Sequence, residues 1–109
     1  MTWNVGFYLN GRKKSPVKEF ISKQPVKMAA KIVHLLELLQ KFGPFLTEPY
    51  CKRLTNNLYE LRVRGKSAIR ILYTKSSDQF ILVHVFVKKT QKTPRKEIDI
   101  ALDRIKLLL

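Results

Sequence analysis

Apolar and polar residues alternate along this chain with two different periods, and each change of period marks an element. Residues 3–9 set aromatic and aliphatic side chains against smaller ones, which predicts a short strand broken by Asn10-Gly11. Ser15-Pro16 predicts a helix start, with Ser15 at the N-cap, Pro16 at N1, and Val17, Phe20 and Ile21 toward a core. After Gln24-Pro25, the residues Met28, Ile32, Leu35, Leu39 and Phe42 recur at steps of four and three, one apolar face of a longer helix. Lys27, Lys31, His34 and Lys41 fall on the opposite face, and Gly43-Pro44 stops the helix. Two helices joined by so short a turn form an αα-hairpin.

A loop rich in Pro and Thr follows, and then the period becomes two. Strands are predicted at residues 58–64, 68–74 and 80–87. Thr93 as N-cap and Pro94 open a last helix, with Ile98, Leu102, Ile105 and Leu109 as its apolar edge. The order βααβββα predicts one α+β domain over residues 1–109: an antiparallel sheet, a helical hairpin on one face, and a C-terminal helix.

The strand pattern also predicts a register. Tyr59, Leu61 and Val63 point one way, and Glu60, Arg62 and Arg64 the other. In the next strand Ile69, Ile71 and Tyr73 form the apolar set. Antiparallel partners share a face, so the apolar sets must meet. A two-residue turn at Gly65-Lys66 would put Arg70 against Leu61 and bury an unpaired guanidinium, at a cost of several kcal/mol. A loop of residues 65–67 instead pairs Val63 with Ile69, Leu61 with Ile71 and Arg62 with Arg70. A loop of residues 75–79 then sets Ile71 beside Val83 and Arg70 beside His84. One row of the open face reads Arg62, Arg70, His84, with Glu60 and Arg64 one step away and Lys88 ending the last strand. Leu72, Phe80, Leu82 and Phe86 are expected on that face too, so the last helix or a partner covers part of it. Phe86 either stacks on a base or packs under a helix.

Charge narrows the partners. With 22 Lys+Arg against 8 Asp+Glu, the net charge is +14. Such a chain is drawn to polyanions, a nucleic acid or an acidic protein. A single cysteine, Cys51, read as a structural thiol in a loop, rules out an internal disulfide and fits a reducing, cytoplasmic setting. No signal peptide and no membrane-length apolar run is read. No phosphate-loop, zinc-protease or dinucleotide signature occurs. His34 and His84 lie in separate elements without companion ligands, and Asp99 with Asp103 reads as a solvated helix face. No metal or cofactor is expected.

RNA cleavage needs neither. The 2′-hydroxyl is itself the nucleophile, so a protein must hold the strand in line, assist proton transfer and stabilise charge on the phosphorane. Arg grips phosphate through two parallel hydrogen bonds. Glu60 can accept a proton, or can be the ion-pair partner that positions Arg62 or Arg70. His84, in mid-strand, reads first as a satisfied, partly buried histidine.

The stretch NLYELRVRGKSAIRILY, followed by ILVHVFVKKTQKTPRKEIDIA, resembles the RelE superfamily of toxins from bacterial type II toxin–antitoxin modules, and within it the phage-associated HigB-like branch. The likeness covers nearly the whole chain. It implies a ribosome-dependent mRNA endonuclease, an mRNA interferase that inhibits translation without a metal. It also implies a cognate helix-turn-helix antitoxin, HigA-like, through which alone operator DNA is bound. The ribosome and mRNA are the other implied partners.

By the same likeness, Arg70 in AIRILY takes the place of the strand arginine that contacts the scissile phosphate. Arg62 in YELR is a basic position on the neighbouring strand, and Lys88 or Lys89 in FVKKT ends the last strand. The expected catalytic set is Arg70, Arg62, Glu60 and Lys89. The expected RNA-binding set is Arg64, His84, Phe86, Lys88, Lys92 and Arg95. Glu60 replaces a second strand lysine of the best-known pattern, and no tyrosine follows Tyr73, so acid and base roles do not transfer. A ParE-like toxin acting on DNA gyrase and a non-catalytic nucleic-acid-binding module are the alternatives. Within VKKTQKTPRK, residues 87–96, the first half reads as a site rim and the second as a helix start.

Overall fold

A computed structural model describes residues 2–108. The elements are β1 (Asn4–Phe7), α1 (Pro16–Ser22), α2 (Val26–Phe42), a 3-10 turn (Gly43–Phe45), β2 (Cys51–Thr55), β3 (Leu58–Val63), β4 (Ile69–Ser76), β5 (Gln79–Val87) and α3 (Arg95–Lys106). The α+β class holds. The order is βααββββα, one strand more than expected.

The helix starts and stops follow local chemistry. The Ser15 hydroxyl accepts the Lys18 N–H at 3.0 Å, and Pro16 opens α1. Met28, Ile32, Leu35 and Leu39 of α2 are buried, as their spacing predicts. Phe42 is not: it is 43% exposed, with the Lys41 ammonium 5.5 Å from its ring centre. The apolar stripe ends early because the chain turns at Gly43, whose φ of 51° and ψ of −122° suit a residue without Cβ. The Trp3 ring occupies the space that a Cβ on Gly43 would need.

The sheet order is β1-β5-β4-β3-β2. β1 runs parallel to β5, and the other pairs are antiparallel, so the sheet is mixed rather than purely antiparallel. β2 occupies the segment expected to be loop. Cys51 lies opposite Leu61 and Lys52 opposite Glu60, with an irregularity between Arg53 and Thr55. Cys51 is therefore a buried strand residue, and its thiol donates to the Leu46 carbonyl at 3.1 Å.

The β3–β4 register is the expected one: Leu61 pairs with Ile71, Arg62 with Arg70 and Val63 with Ile69. The β4–β5 register is not. Ser76 pairs with Gln79 across a two-residue turn in which Ser77 has a φ of 56°, and a bulge lies opposite Leu72/Tyr73. Arg70 thus meets Phe86, Ile71 meets Val85, and His84 meets Leu72. The bulge switches faces along β5. Phe80 and Leu82, expected on the open side, join Ile32, Leu39, Leu61 and Ile71 in the core beneath the hairpin. Val83 moves the other way, joining Leu58, Leu72, Ile81 and Phe86 beneath α3.

α3 is docked across this second face through Ile98, Ala101, Leu102 and Ile105; Leu109 lies outside the described residues. Among the described residues no helix is long and apolar enough to cross a membrane. We expect Gly43→Ala to cost about 2 kcal/mol in chemical denaturation, from backbone strain and displacement of Trp3. An unchanged denaturation midpoint would refute that packing.

Candidate functional site

α3 covers only part of its face. Beside it the strands deliver two rows of side chains: Lys52, Glu60, Leu72, His84, and then Arg62, Arg70, Phe86. Between the rows sits Glu60, with its side chain 1% exposed. Its Oε1 lies 3.6 Å from Arg62 Nε and 3.7 Å from Arg70 Nε. Its Oε2 accepts a hydrogen bond from the Thr93 hydroxyl. The two Nε atoms are buried without a hydrogen-bond partner, so they serve Glu60 as ion-pair neighbours rather than as donors in contact.

One terminal nitrogen of each arginine meets a partner other than Glu60. Arg62 Nη1 is 4.0 Å from the exposed Glu48 carboxylate, and Arg70 Nη1 donates to the Ile69 carbonyl at 3.0 Å. Burial pushes the Arg70 pKa down; Glu60 opposes this, and Arg62 and Arg64 reinforce it. Burial likewise lowers the Lys88 ammonium, again against Glu60 and with Arg70, Arg62 and Lys52 reinforcing.

Two clefts open on this cluster. One, of about 340 Å³, is lined by Lys52, Glu60, Arg62, Lys88, Lys92 and Thr93. The other, of about 480 Å³, is lined by Arg70, Lys88, Lys89, Thr90 and Gln91. Lys88 belongs to both. Its backbone N–H is tied to the Ala68 carbonyl at 2.7 Å, which fixes the end of β5 beside Arg70.

The structure thus gathers Glu60, Arg62, Arg70, Lys88, Lys89 and Lys92. It separates the other sequence candidates. Arg64 is exposed and lines a cavity beside α2. Arg95 pairs with Asp99 at 3.0 Å, one turn along α3. Phe86 is buried under α3 with its ring stacked on His84, so no face is open to a base. His84 does not sit beside Arg70, because the two-residue turn and the bulge each shift β5 by one residue and together move it one row away. Its Nε2 donates to Glu97 Oε1 at 2.7 Å, and its Nδ1 accepts from Arg104 Nη1 at 3.4 Å. Burial lowers its pKa, the hydrogen bond to Glu97 opposing.

Three contributors were not legible. Lys52 lies on the unexpected strand β2, and Glu48 just before it. Thr93 was expected to cap α3, but the N-cap residue is Pro94, and the Thr93 hydroxyl serves Glu60 instead. Among the described residues no cluster of His, Cys, Asp and Glu could hold a metal ion. Guanidinium and ammonium groups converging on one open space can bind a phosphate and stabilise charge developing on it.

Fold and site together define a small basic α+β protein, compatible with a RelE-like architecture, with cations gathered at the uncovered end of its sheet. The chain belongs to the Phage derived protein Gp49-like (DUF891) family, whose sequence profile matches residues 19–106. That family falls within the RelE-like group of type II toxin–antitoxin toxins. No curated protein matches the chain.

Two outcomes follow from this geometry. Glu60→Ala leaves Arg62 and Arg70 opposed without a counter-charge and should cost about 3 kcal/mol in urea denaturation; a loss below about 1 kcal/mol would deny Glu60 its central place. His84 bears on pH. Its folded pKa lies below the ordinary 6.5, so the unfolded chain takes up this proton first as pH falls. The stability it supports is intact above that value and is lost as pH drops through it toward the lowered folded pKa. Between about pH 7 and pH 5, His84→Asn should flatten the stability profile relative to wild type. An equally steep profile in the variant would assign the dependence elsewhere.

Proposed function

We propose that this chain is the toxin of a type II toxin–antitoxin module, a HigB-like, ribosome-dependent mRNA endonuclease acting in the cytoplasm. The observation that carries the proposal is the convergence of Arg62, Arg70 and Lys88 around one buried carboxylate at the open end of the sheet. In the proposed reaction the RNA 2′-hydroxyl gives its proton to solvent water, its oxygen attacks the adjacent phosphorus, and the bond to the 5′-oxygen breaks. The products are a 2′,3′-cyclic phosphate and a 5′-hydroxyl end.

Arg62 and Arg70 hold the non-bridging oxygens and stabilise the phosphorane. Glu60, shut away from solvent, acts as the residue that positions both arginines; its burial argues against a base that meets the substrate. Lys88, between the two clefts and with its pKa lowered, is suited to give a proton to the leaving oxygen. Lys89 and Lys92 hold flanking phosphates at the rim. This chemistry calls on no metal or cofactor. A HigA-like helix-turn-helix antitoxin would neutralise the toxin and carry it to operator DNA.

The test is inducible expression with transcript 5′-end mapping, for wild type and Arg70→Ala. Growth arrest with new mRNA ends inside reading frames is expected for wild type, and neither for the variant. Arrest with intact mRNA and DNA-damage signalling would overturn the proposal in favour of a gyrase-directed toxin.

A further inference from the structure

Two cavities lie outside the candidate site, along α2. One, of about 370 Å³, is lined by Lys31, His34, Tyr50, Arg62 and Arg64. The other, of about 520 Å³, is lined by Lys27, Lys31, Lys66 and Gln24 among others. They share Lys31, and no carboxylate lines either of them. The cations are brought together by a close approach. A Cβ on Gly65 would lie 2.6 Å from Met28 Cε and 3.3 Å from Lys31 Nζ, so the ends of these two α2 side chains lie against the β3–β4 turn. Arg64 and Lys66 flank that glycine in sequence. Like charges set this close repel one another.

Arg62 lines both this groove and the candidate cleft. Tyr50 stands at the junction, 45% exposed, its carbonyl accepting the Arg62 N–H at 2.9 Å. An exposed aromatic ring among spaced cations is the composition that single-stranded nucleic acid uses, bases on the ring and phosphates on the charges. An acidic peptide would need the charges but not the ring.

We propose that this groove is a second RNA-binding surface, which carries the single strand beyond the candidate site past Arg62. Phosphates rest on Arg64, Lys31 and Lys66, and one base stacks on Tyr50. The strand displaces Glu48, whose carboxylate, 67% exposed, now lies 4.0 Å from Arg62 Nη1. The inference rests on RNA being the ligand of the candidate site, but binding can be read without cleavage.

The probes are 2′-O-methyl oligoribonucleotides, which lack the attacking hydroxyl, of about four and about twelve nucleotides. Affinity is read by fluorescence anisotropy over a series of salt concentrations, on variants shown to be folded by circular dichroism. For Lys31→Glu/Lys66→Glu we expect at least about a tenfold loss with the long probe, a salt slope lower by roughly two, and less than about twofold change with the short one. Lys14→Glu/Lys18→Glu has the same net charge and touches neither cavity, and should leave the length dependence intact. Tyr50→Ala should weaken the long probe about fivefold or more, and Glu48→Gln should tighten it.

Equal losses on both probes, or equal effects of the two double variants, would reduce the groove to diffuse charge and overturn the proposal. Binding of polyglutamate that Lys31→Glu/Lys66→Glu abolishes and Tyr50→Ala leaves unchanged would reassign the groove to an acidic protein. Mapped mRNA ends without length-dependent binding would sink this inference alone. Length-dependent binding without mRNA ends would sink the cleavage proposal and leave the groove standing.

Discussion

Glu60 is a carboxylate held away from water between two guanidinium groups, and the site depends on that balance of charge. Register alone puts Arg62 directly opposite Arg70, a pairing of like charges that is unfavourable without a counter-ion. A buried carboxylate without partners is equally unfavourable. Each half of the arrangement makes the other tolerable. Glu60 holds both Nε atoms at 3.6 and 3.7 Å, and the two arginines line the neighbouring clefts. One acidic residue in a strongly basic protein thus decides where several basic ones stand.

The chain after β5 depends on the same residue. Its first end is fixed where Lys88 bonds to Ala68, and its second where the Thr93 hydroxyl reaches Glu60. The rim residues Lys88, Lys89 and Lys92 are therefore carried on a segment tied to the sheet at both ends. One turn into α3, Glu97 bonds to His84 and ties the helix to β5. α3 then closes the apolar part of the face over Leu72, Val83 and Phe86. The polar remainder, which Ile98 of the helix borders, is the candidate site.

Much of this was legible in the sequence, because the signals were local or strongly periodic. The Ser15-Pro16 cap, the α2 stripe and the β3–β4 register each follow from a short pattern with one low-energy reading. That register alone brought Glu60, Arg62 and Arg70 together. What was missed depends on interactions without such a pattern. β2 is five residues long, irregular, and exposed at Lys52 and Arg53, so it shows no alternation. β5 is apolar on both faces, so its bulge left no trace in the hydrophobic pattern, and His84 was placed one row off. The two-residue turn at Ser77-Asp78 could have warned of it, since it shortens the expected five-residue loop. Thr93 does not cap α3, whose N-cap residue is Pro94. A Thr before Pro reads as a helix cap, and only the folded sheet shows the hydroxyl turned to Glu60 instead.

On the proposed reading, Glu60 makes Arg62 and Arg70 a single phosphate-binding unit. This is tested most directly by following the arginine Nε–H resonances of ¹⁵N-labelled protein while adenosine 3′-monophosphate is titrated in. The Arg62 and Arg70 signals are expected to move together along one saturation curve in the wild type, and to lose that common response in Glu60→Gln. Signals that stay fixed in the wild type, or that respond identically without the carboxylate, would contradict it.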